Sequence, residues 1–563
     1  MAVGLSACLK APEELFQLDF DRVFTPTTLE AVPTQAPSAR TPEEWNISPT
    51  VMELTTTFEW AVSPNVTQYN LQISTDPNFE TITHDLVVSG TVFEIPSPLV
   101  PNRLPWSTNY FIRVMAIAPD DLRADDSRWN TYAFSTPAEQ LFHLPGRADI
   151  GSSFVRLRWH PGSAANNIVV RQGGANGPIV DSREIVQTDS TFFIEGLNPE
   201  TELTVQIRQG TTVRGQLPIT TRRGVNCLAD TVVCLPHPVH GWDLGAILED
   251  PDNIGRIIYL PPDTVFEIDA TIEIPGSIHI FGSYDGARPI IRLITTGGSP
   301  LISLPMLPFP GQATEFIIFE NVELTSTGAN GWIFDENQAT QTRLRYLRFE
   351  SVLMHNFRNN AINLRNAHFY NIIVNDTEVH TMGFGSNMGF VHLRLEATVD
   401  NILITNSTFS NMIHGFFDFR HRTNAHRVQI TIENTTFDQI VGHEGADRRY
   451  FVDMVAQANQ EGGGRADVVI RNVIFGSTFN PDVASGIRAS AASTTMVENS
   501  FRTTDWITTN PVGENFDIPQ LETFSGGRTG ENGLFVNPNA RDFRFNPGVS
   551  GFILNAGDPR WRP

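Results

Sequence analysis

The feature that most constrains the fold is a short phrase that recurs through the second half of the chain. Each copy alternates apolar and polar residues, continues with one small polar residue, and ends on a further apolar pair. The copies are FIIFENVEL, LRYLRFESVLM, NAHFYNIIV, NILITNSTF, VQITIENTTF and DVVIRNVIF. Irregular repeats of this kind, with loops inserted at the turns, are typical of a right-handed parallel β-helix.

The small polar residue of each phrase is expected to stack on its counterpart in the next coil and to hydrogen-bond along the axis. Ile, Val and Phe would then fill a continuous interior. For these residues a structural role is therefore predicted in preference to ligand binding. They are Asn321, Ser351, Asn371, Asn406, Asn434 and Asn472, at separations of 30, 20, 35, 28 and 38 residues.

Two earlier segments, residues 47–137 and residues 138–223, carry short alternating strands between Pro, Asn and Gly turns. Each resembles a fibronectin type III domain, which implies a two-sheet sandwich acting as a spacer or binding module. The phrase IEGLNPETELTVQI is close to one of that family, although Leu203 stands where the family usually has Tyr. Period-two alternation predicts the inward face of the first sandwich to be Trp60, Tyr69, Leu71, Ile73, Tyr110, Ile112 and Val114.

The start of the chain has the composition of a tether. Residues 9–46 are rich in Pro, Thr, Ala and Glu, which favours an extended linker. Cys8 closes the phrase AVGLSAC, which resembles a bacterial lipobox, and the following KAPEE resembles the export signal of Bacteroidetes surface lipoproteins. The resemblance implies that Cys8 is lipidated and that the protein is anchored in the outer membrane, facing the cell exterior.

The sequence therefore predicts an all-β protein in four parts, with two fibronectin type III-like β-sandwiches followed by a right-handed parallel β-helix. The net charge of −23 argues against nucleic-acid binding, which needs a basic surface. No run of 18 apolar residues occurs, so the lipid is the only predicted membrane contact. The parts are a tether (1–46), two sandwiches (47–137 and 138–223) and a β-helix with a C-terminal cap (224–563).

Cysteine usage leaves one question open. Three cysteines are too few for a disulfide framework. Cys227 and Cys234, in the phrase CLADTVVC, are close enough to form a disulfide in an oxidising compartment. A free pair of thiols is equally compatible with the sequence.

The architecture as a whole, over residues 8–563, resembles a family of Bacteroidetes surface lipoproteins with domains of unknown function in the pectate-lyase-like β-helix clan. The phrases that carry the resemblance are DRVFTPTTLEAV, FSTPAEQLF and the closing NGLFVNPNARDFRFNPGVSGFILNAGDPRW. The resemblance implies a polysaccharide-utilisation system, with a pectin-like glycan as ligand and an outer-membrane glycan importer and its lipoproteins as partners. It supplies no catalytic residues.

A cationic cluster stands out against the acidic chain, since residues 343–471 hold 13 acidic and 13 basic residues. Arginine forks bind uronate carboxylates, and histidine acts as an acid or a base. The alternative is that these cations form ion pairs at the turns with Asp418, Glu433 or Asp447. The predicted ligand-binding residues are Arg420, His421, Arg422, His426, Arg427, His443, Arg448 and Arg449, with Arg365, His368, His392 and Arg394 as an extension from earlier coils.

The leading hypothesis is a surface protein that binds an acidic polysaccharide on the flank of the β-helix without cleaving it. The first alternative is a polysaccharide lyase or glycoside hydrolase, with His and Arg of residues 420–449 supplying the chemistry of a lyase. The second alternative is a structural or adhesive protein. No cofactor is predicted, because a Ca²⁺-dependent lyase holds its ion with several Asp on adjacent coils and no such cluster is seen.

Overall fold

The computed structural model describes most of the chain in separate segments. Contacts divide the chain into two compact units, one of residues up to 150 together with 154–221, and one of residues 151–153 together with those from 222 onward. The described residues are 22–33, 54–120, 124–159, 164–186, 189–235, 242–294, 300–304, 314–327, 331–336, 342–359, 361–384, 389–394, 397–413, 415–419, 427–442, 450–454, 465–479, 486–488, 493–508, 518–530, 532–546, 549 and 551–562.

The first unit begins with a sandwich of two antiparallel sheets. Its strands follow the order Glu30–Pro33, Thr56–Glu59, Val92–Ile95 in one sheet and His84–Ser89, Gln68–Ser74, Asn109–Ala116, Asn130–Ser135 in the other. All seven residues predicted to face inward are buried, which confirms the alternation. The strand Glu30–Pro33 lies inside the predicted tether, and it joins the sandwich because Leu29 and Ala31 are buried in its core.

A second sandwich follows in the same unit, after the 3₁₀ helix Arg147–Asp149. Its strands are Phe154–Arg158 with Thr191–Glu195 in one sheet, and Ile179–Glu184, Asn167–Gln172, Glu202–Gln209, Thr212–Thr220 in order in the other. Trp159 is buried and meets Phe142 edge-on, with ring centroids 6.5 Å apart. Leu203, where the family usually has Tyr, is buried in the same core. Both predicted fibronectin type III-like sandwiches are confirmed by these strand orders.

The second unit is a parallel β-helix, as predicted. Each full coil contributes one strand to each of three parallel sheets, here called A, B and C in the order in which the chain enters them. Sheet A consists of Val232–Cys234, Ile257–Leu260, Ile278–Gly282, Thr314–Glu320, Thr342–Glu350, Ala367–Asn375, Thr398–Thr405, Arg427–Glu433, Arg465–Arg471 and Thr494–Glu498.

The other two sheets complete the coils. Sheet B consists of Val265–Ile268, Ile290–Leu293, Glu323–Ser326, Leu353–His355, Glu378–Met382, Thr408–Met412, Thr436–Ile440, Ile474–Phe475, Phe501–Arg502 and Glu522–Thr523. Sheet C consists of Ile272–Glu273, Pro300–Ser303, Trp332–Glu336, Ile362–Leu364, Val391–Leu393, Phe417–Phe419, Val452–Asp453 and Ile487–Arg488. Neighbouring strands pair in register, so equivalent residues of successive coils form rows along the axis.

Phenylalanine stacks fill the interior of the β-helix. Phe390, Phe416 and Phe451 lie on successive coils with nearly parallel rings, and their centroids are 5.2 and 5.3 Å apart. The rings of this stack meet a second stack edge to face. The second stack contains Phe409, Phe437 and Phe475. Phe carries no polar atom that would need a partner in such a core, whereas the hydroxyl of Tyr would need one.

A row of left-handed residues marks the turn from sheet A to sheet B. Asn and Asp adopt this conformation more readily than other non-glycine residues. The amide of Asn472 donates to Oδ1 of Asn434 at 3.2 Å, and that of Asn499 donates to Oδ1 of Asn472 at 2.7 Å. The prediction was wrong for Asn371, which lies within a strand, because Asp376 occupies the turn of that coil. The row is Asn321, Ser351, Asp376, Asn406, Asn434, Asn472 and Asn499.

A short α-helix, Leu244–Glu249, lies near the start of the second unit. Asp243 caps it by accepting a hydrogen bond from the backbone of Ala246 at 3.0 Å, and Leu244 and Leu248 are buried in the β-helix core. The 3₁₀ helix Pro251–Asn253 follows. No helix in the described part of the chain is long and apolar enough to cross a membrane.

A disulfide joins Cys227 to Cys234, which ends the first strand of sheet A. The S–S distance is 1.94 Å and the Cα atoms are 5.6 Å apart. Of the two states left open by the sequence, the structure therefore has the bridged one.

The end of the chain packs on the outer face of sheet B. The strands Phe535–Asn537 and Asp542–Phe545 form a hairpin. The side chains of Leu534, Phe543 and Ile553 form a small core with Ile474 and Phe501 of sheet B. The remaining elements are the 3₁₀ helices Pro538–Ala540, Phe552–Asn555 and Pro559–Trp561.

Three residues of the closing phrase AGDPRW, namely Asp558, Arg560 and Trp561, fasten this segment to sheet B and are called the C-terminal clasp. Thr408 Oγ1 donates to Oδ2 of Asp558 at 2.6 Å and accepts from Nε1 of Trp561 at 2.7 Å. Arg560 pairs with Asp558 and reaches Oε1 of Glu378 at 2.7 Å. The Asp558 side chain is fully buried, so its charge depends on these partners.

Candidate functional site

One polar side chain from each of six successive coils forms a row on sheet C. The strand register places these residues side by side. In the central strands the neighbouring residues, such as Val391 and Leu393, belong to the hydrophobic core, so the row faces the opposite way. The members of this polar row are Asp335, Asn363, His392, Asp418, Asp453 and Arg488.

The centre of the polar row is a histidine beside a carboxylate. His392 and Asp418 each keep only 4% of their surface exposed. Nδ1 of His392 lies 3.1 Å from Oδ2 of Asp418, an ion-pair distance without hydrogen-bond geometry. Within the described residues, Nε2 of His392 makes no hydrogen bond. With the Asp418 carboxylate beside Nδ1, Nε2 is the ring nitrogen that remains to accept a proton from another group.

Two arginines lie at the corner where sheet C turns into sheet A. Arg365 directly follows Leu364, and Arg394 directly follows Leu393, which pairs with Leu364 in the register. Nη2 of Arg365 lies 4.0 Å from Oδ2 of Asp335. Arg394 is exposed and makes no side-chain ion pair or hydrogen bond within the described residues. The corner thus carries two cations on successive coils.

Asp335 links this corner to the polar row. Asn363 Nδ2 donates to its Oδ1 at 2.6 Å. Burial raises the pKa of Asp335, and the charges of Arg365 and Arg394 together with the Asn363 hydrogen bond offset only part of the effect. The position therefore has a carboxyl group that holds a proton more tightly than an exposed Asp does.

The far end of the polar row is closed by an ion pair. Arg488 donates to both carboxylate oxygens of Asp453, at 2.9 and 2.6 Å. Its guanidinium lies 4.1 Å from the centroid of the Tyr450 ring. The hydrogen bond and charge of Asp453 raise the pKa of Arg488 against the opposing effect of burial. This end is a satisfied structural pair rather than a site for a ligand.

Most of the cationic cluster predicted from the sequence lies outside the described residues. Those residues are Arg420, His421, Arg422, His426, His443, Arg448 and Arg449, and Cys8 lies outside as well. Arg427 is described: it faces outward on sheet A and pairs with Asp467, which is none of the three partners considered for it. In the sequence Arg420 directly follows Phe419, and Arg394 directly follows Leu393. Leu393 and Phe419 pair in the register of sheet C.

The four residues predicted to extend the cluster lie on two different sheets. Arg365, His392 and Arg394 come together at sheet C, whereas His368 lies on sheet A, 3.0 Å from Asp400 and stacked on Tyr370. Sequence reasoning missed four members of the polar row. A signal was present, because the strands INL, VHL and FDF each hold one polar residue between two apolar ones. The missed residues are Asp335, Asn363, Asp453 and Arg488.

Two stacked histidines on sheet B have a structural role. The rings of His355 and His380 stack with centroids 4.9 Å apart, and Nε2 of His355 lies 2.9 Å from Oε1 of Glu323. Nη1 of Arg541 donates to Nε2 of His380 at 2.6 Å. Burial, with Arg541 and His355, lowers the pKa of His380 to about 3. His380 is therefore neutral at pH 7 and acts as an acceptor for Arg541.

No group of three or more His, Cys, Asp or Glu that could hold a metal ion occurs among the described residues. No family model matches this chain. No curated protein matches it either. The chain is similar to solved structures that consist of fibronectin type III domains.

Three such structures are a two-domain fibronectin type III segment of chicken tenascin, the FN1–FN3 domains of chicken CNTN1 and the central fibronectin-III array of RIM-binding protein. The tenascin segment is 14% identical, with 35% of this chain and 99% of that chain covered and a TM-score of 0.21. The CNTN1 domains are 15% identical, covering 35% and 65%, with a TM-score of 0.14. The RIM-binding protein array is 16% identical, covering 36% and 64%, with a TM-score of 0.13.

Proposed function

We propose that this protein binds an acidic polysaccharide at the corner where sheet C turns into sheet A. Arg394 carries the proposal, because its exposed guanidinium has no side-chain partner within the described residues. Arg365 repeats the cation one coil away. Adjacent strands are about 4.8 Å apart, so the corner offers an edge with two cations at that spacing. A pectin-like glycan, whose carboxylates recur along an extended chain, complements such an edge.

The surroundings of the protein are part of the same proposal. Fibronectin-like sandwiches joined to a parallel β-helix favour a surface or adhesive protein. We place it on the outer face of the outer membrane, held by a lipid on Cys8, with the sandwiches as spacers. A glycan importer and its lipoproteins would be the partners. The support for this setting is the lipobox-like phrase AVGLSAC and the architecture.

Replacing Arg394 by Ala is expected to raise the dissociation constant for polygalacturonate about tenfold or more. A hydrogen bond to a charged group contributes roughly 1.5–3 kcal/mol, and an exposed side chain without a partner leaves no buried charge behind when it is removed. The double change Arg394→Ala with Arg365→Ala should abolish binding. Affinity electrophoresis in gels containing polygalacturonate, pectin or alginate measures the effect, and affinity should weaken as salt is added.

Arg345→Ala is the matched control for this experiment. Arg345 is also an exposed arginine of the β-helix, but its Nε lies 3.0 Å from Oε2 of Glu315, so it is not expected to hold the ligand. Its variant should migrate like the unmodified protein. Absence of retardation by all three acidic glycans would refute the proposal and leave an adhesive or structural role. Unchanged binding by the double variant would place the ligand elsewhere.

A second candidate function, a uronate lyase, is favoured by the His392–Asp418 pair. Nε2 of His392 would take the proton from C5 of a uronate residue, and the electrons would form the C4–C5 double bond as the C4–O bond breaks. The departing oxygen takes a proton from an acid. Arg365 and Arg394 would neutralise the uronate carboxylate, which makes the C5 proton easier to remove.

This lyase is expected to generate absorbance from the unsaturated product when the protein is incubated with the same acidic glycans. His392→Gln, which removes the base but keeps a side chain of similar size, should reduce that rate at least a hundredfold. It should leave retardation in the gel within about twofold. A flat absorbance trace for the unmodified protein that still binds would reject the lyase and retain the binding function. A reducing-sugar assay on the same samples detects hydrolysis instead.

A further inference from the structure

The outer face of sheet A carries a second periodic surface, distinct from the arginine corner. Asn371, Asn401 and Gln429 pair in the register of three successive coils. Beside them runs a parallel row of less polar side chains, Ile373, Leu403 and Thr431. The two rows line a shallow depression of about 210 Å³, called here the amide trough.

The amides of the trough keep hydrogen-bonding capacity toward solvent. Asn371 Nδ2 donates to the backbone oxygen of Arg345 at 3.1 Å. Asn401 Nδ2 donates weakly to Oδ1 of Asn371 at 3.3 Å and to the backbone oxygen of Tyr370 at 3.4 Å. Gln429 is exposed, and its side chain makes no hydrogen bond within the described residues. An amide has two donors and an accepting oxygen, so Oδ1 of Asn401 and the whole amide of Gln429 present groups that match hydroxyls.

Most charged side chains that border the trough lie in pairs of opposite type. Arg348 lies 2.6 Å from Glu350, and His368 lies 3.0 Å from Asp400. Further along, Arg427 and Arg465 both pair with Asp467, and Arg471 pairs with Glu433 and Glu498. This border contrasts with the corner of sheet C, where Arg394 is unpaired within the described residues. The trough thus complements a ligand without net charge.

We infer that the amide trough binds a neutral polysaccharide lying along the β-helix axis. Hydroxyls would bond to the amides of successive coils, and the apolar faces of the sugar rings would pack on Ile373 and Leu403. Tyr346, which pairs with Asn371 in the register and is 42% exposed, extends the surface by one aromatic ring. The inference does not depend on the proposed acidic ligand, since the two sites share no residue.

The test uses affinity electrophoresis of the full chain in gels containing mixed-linkage glucan, xyloglucan, galactan, arabinan or galactomannan. The unmodified protein is expected to be retarded by at least one of them. The double change Asn401→Ala with Gln429→Ala should weaken that retardation at least tenfold, and Tyr346→Ala should weaken it less. Unlike binding to polygalacturonate, this retardation should resist added salt, because no charge is involved.

Met496→Ala is the matched control, because Met496 is exposed on the same face of sheet A but lies two coils beyond Gln429. It should leave neutral-glycan binding unchanged, as should Arg394→Ala. The double variant of the trough should still bind polygalacturonate. Loss of binding at the trough can therefore be distinguished from loss of binding at the arginine corner. Lack of retardation by every neutral glycan, or equal retardation of the double variant, would overturn the inference.

Discussion

Replacing Arg560 by Met should lower the free energy of unfolding of the β-helix by about 3–5 kcal/mol at pH 7. Met keeps much of the length of the side chain but removes the charge that pairs with Asp558 and Glu378. Asp558 is fully buried, so within the described residues its carboxylate would keep the hydrogen bonds from Thr408 and from the backbone of residue 560 but would lose its ion-pair partner. Removing one partner of a buried pair is costly because the remaining charge is poorly solvated.

The loss should shrink as the pH falls. Burial raises the pKa of Asp558 even with Arg560 present, and removal of the guanidinium raises that pKa further. In the variant, native Asp558 therefore takes up a proton more readily than unfolded Asp558, so stability rises as the pH falls through the folded pKa of Asp558 and levels off below its unfolded pKa. Hydrogen exchange followed by mass spectrometry measures this, because it reports on the β-helix strands separately from the sandwiches.

Arg544→Met is the matched control. Its side chain is 23% exposed, as is that of Arg560, and it pairs at 2.6 Å with a carboxylate two residues away, Asp542. The difference is that Asp542 remains 22% exposed, so its charge stays partly hydrated. The control should cost no more than about 1 kcal/mol. Equal losses of stability in the two variants would show that the buried Arg560–Asp558 pair does not hold the C-terminal clasp on sheet B.

Replacing Phe416 by Ala should cost about 3–5 kcal/mol of β-helix stability. Phe416 is 1% exposed and lies between Phe390 and Phe451 in one stack, while its edge meets Phe409 and Phe437 of the other. Alanine would leave a cavity lined by rings that are held in place by the coils above and below. Phe416→Leu should cost less than half as much, because most of the volume is kept.

Phe384→Ala is the control for this change, since Phe384 belongs to the β-helix but is 42% exposed. Its loss is expected to change stability by less than about 0.5 kcal/mol. Guanidinium unfolding combined with hydrogen exchange measures all three variants. A loss below 1 kcal/mol for Phe416→Ala would mean that the stack relaxes around the missing ring.

The sequence was informative about the fold because stacked coils repeat their chemistry. Five of the six residues predicted to stack along the axis occupy left-handed positions between sheets A and B. The sixth prediction was wrong because the phrase NIIVND holds polar residues at both ends. Asn371 and Asp376 each fit the pattern, and only strand pairing shows that Asp376 occupies the turn.

The candidate site was harder to predict from the sequence than the fold was. Residues such as Arg427 were grouped because they are neighbours along the chain, yet Arg427 faces outward on sheet A and is neutralised by Asp467. The polar row is built instead from Asn363, His392 and Asp418, which are 29 and 26 residues apart and meet through the register.

The sequence by itself determined the all-β class, the two sandwiches and the β-helix, because alternation and turn residues are local properties that every coil and strand must satisfy. Only the tertiary structure decided which polar side chains meet. The loops between strands differ in length from coil to coil, so no fixed spacing relates one coil to the next. The register of sheet C brings His392 beside Asp418, and its corner sets Arg365 and Arg394 on successive coils.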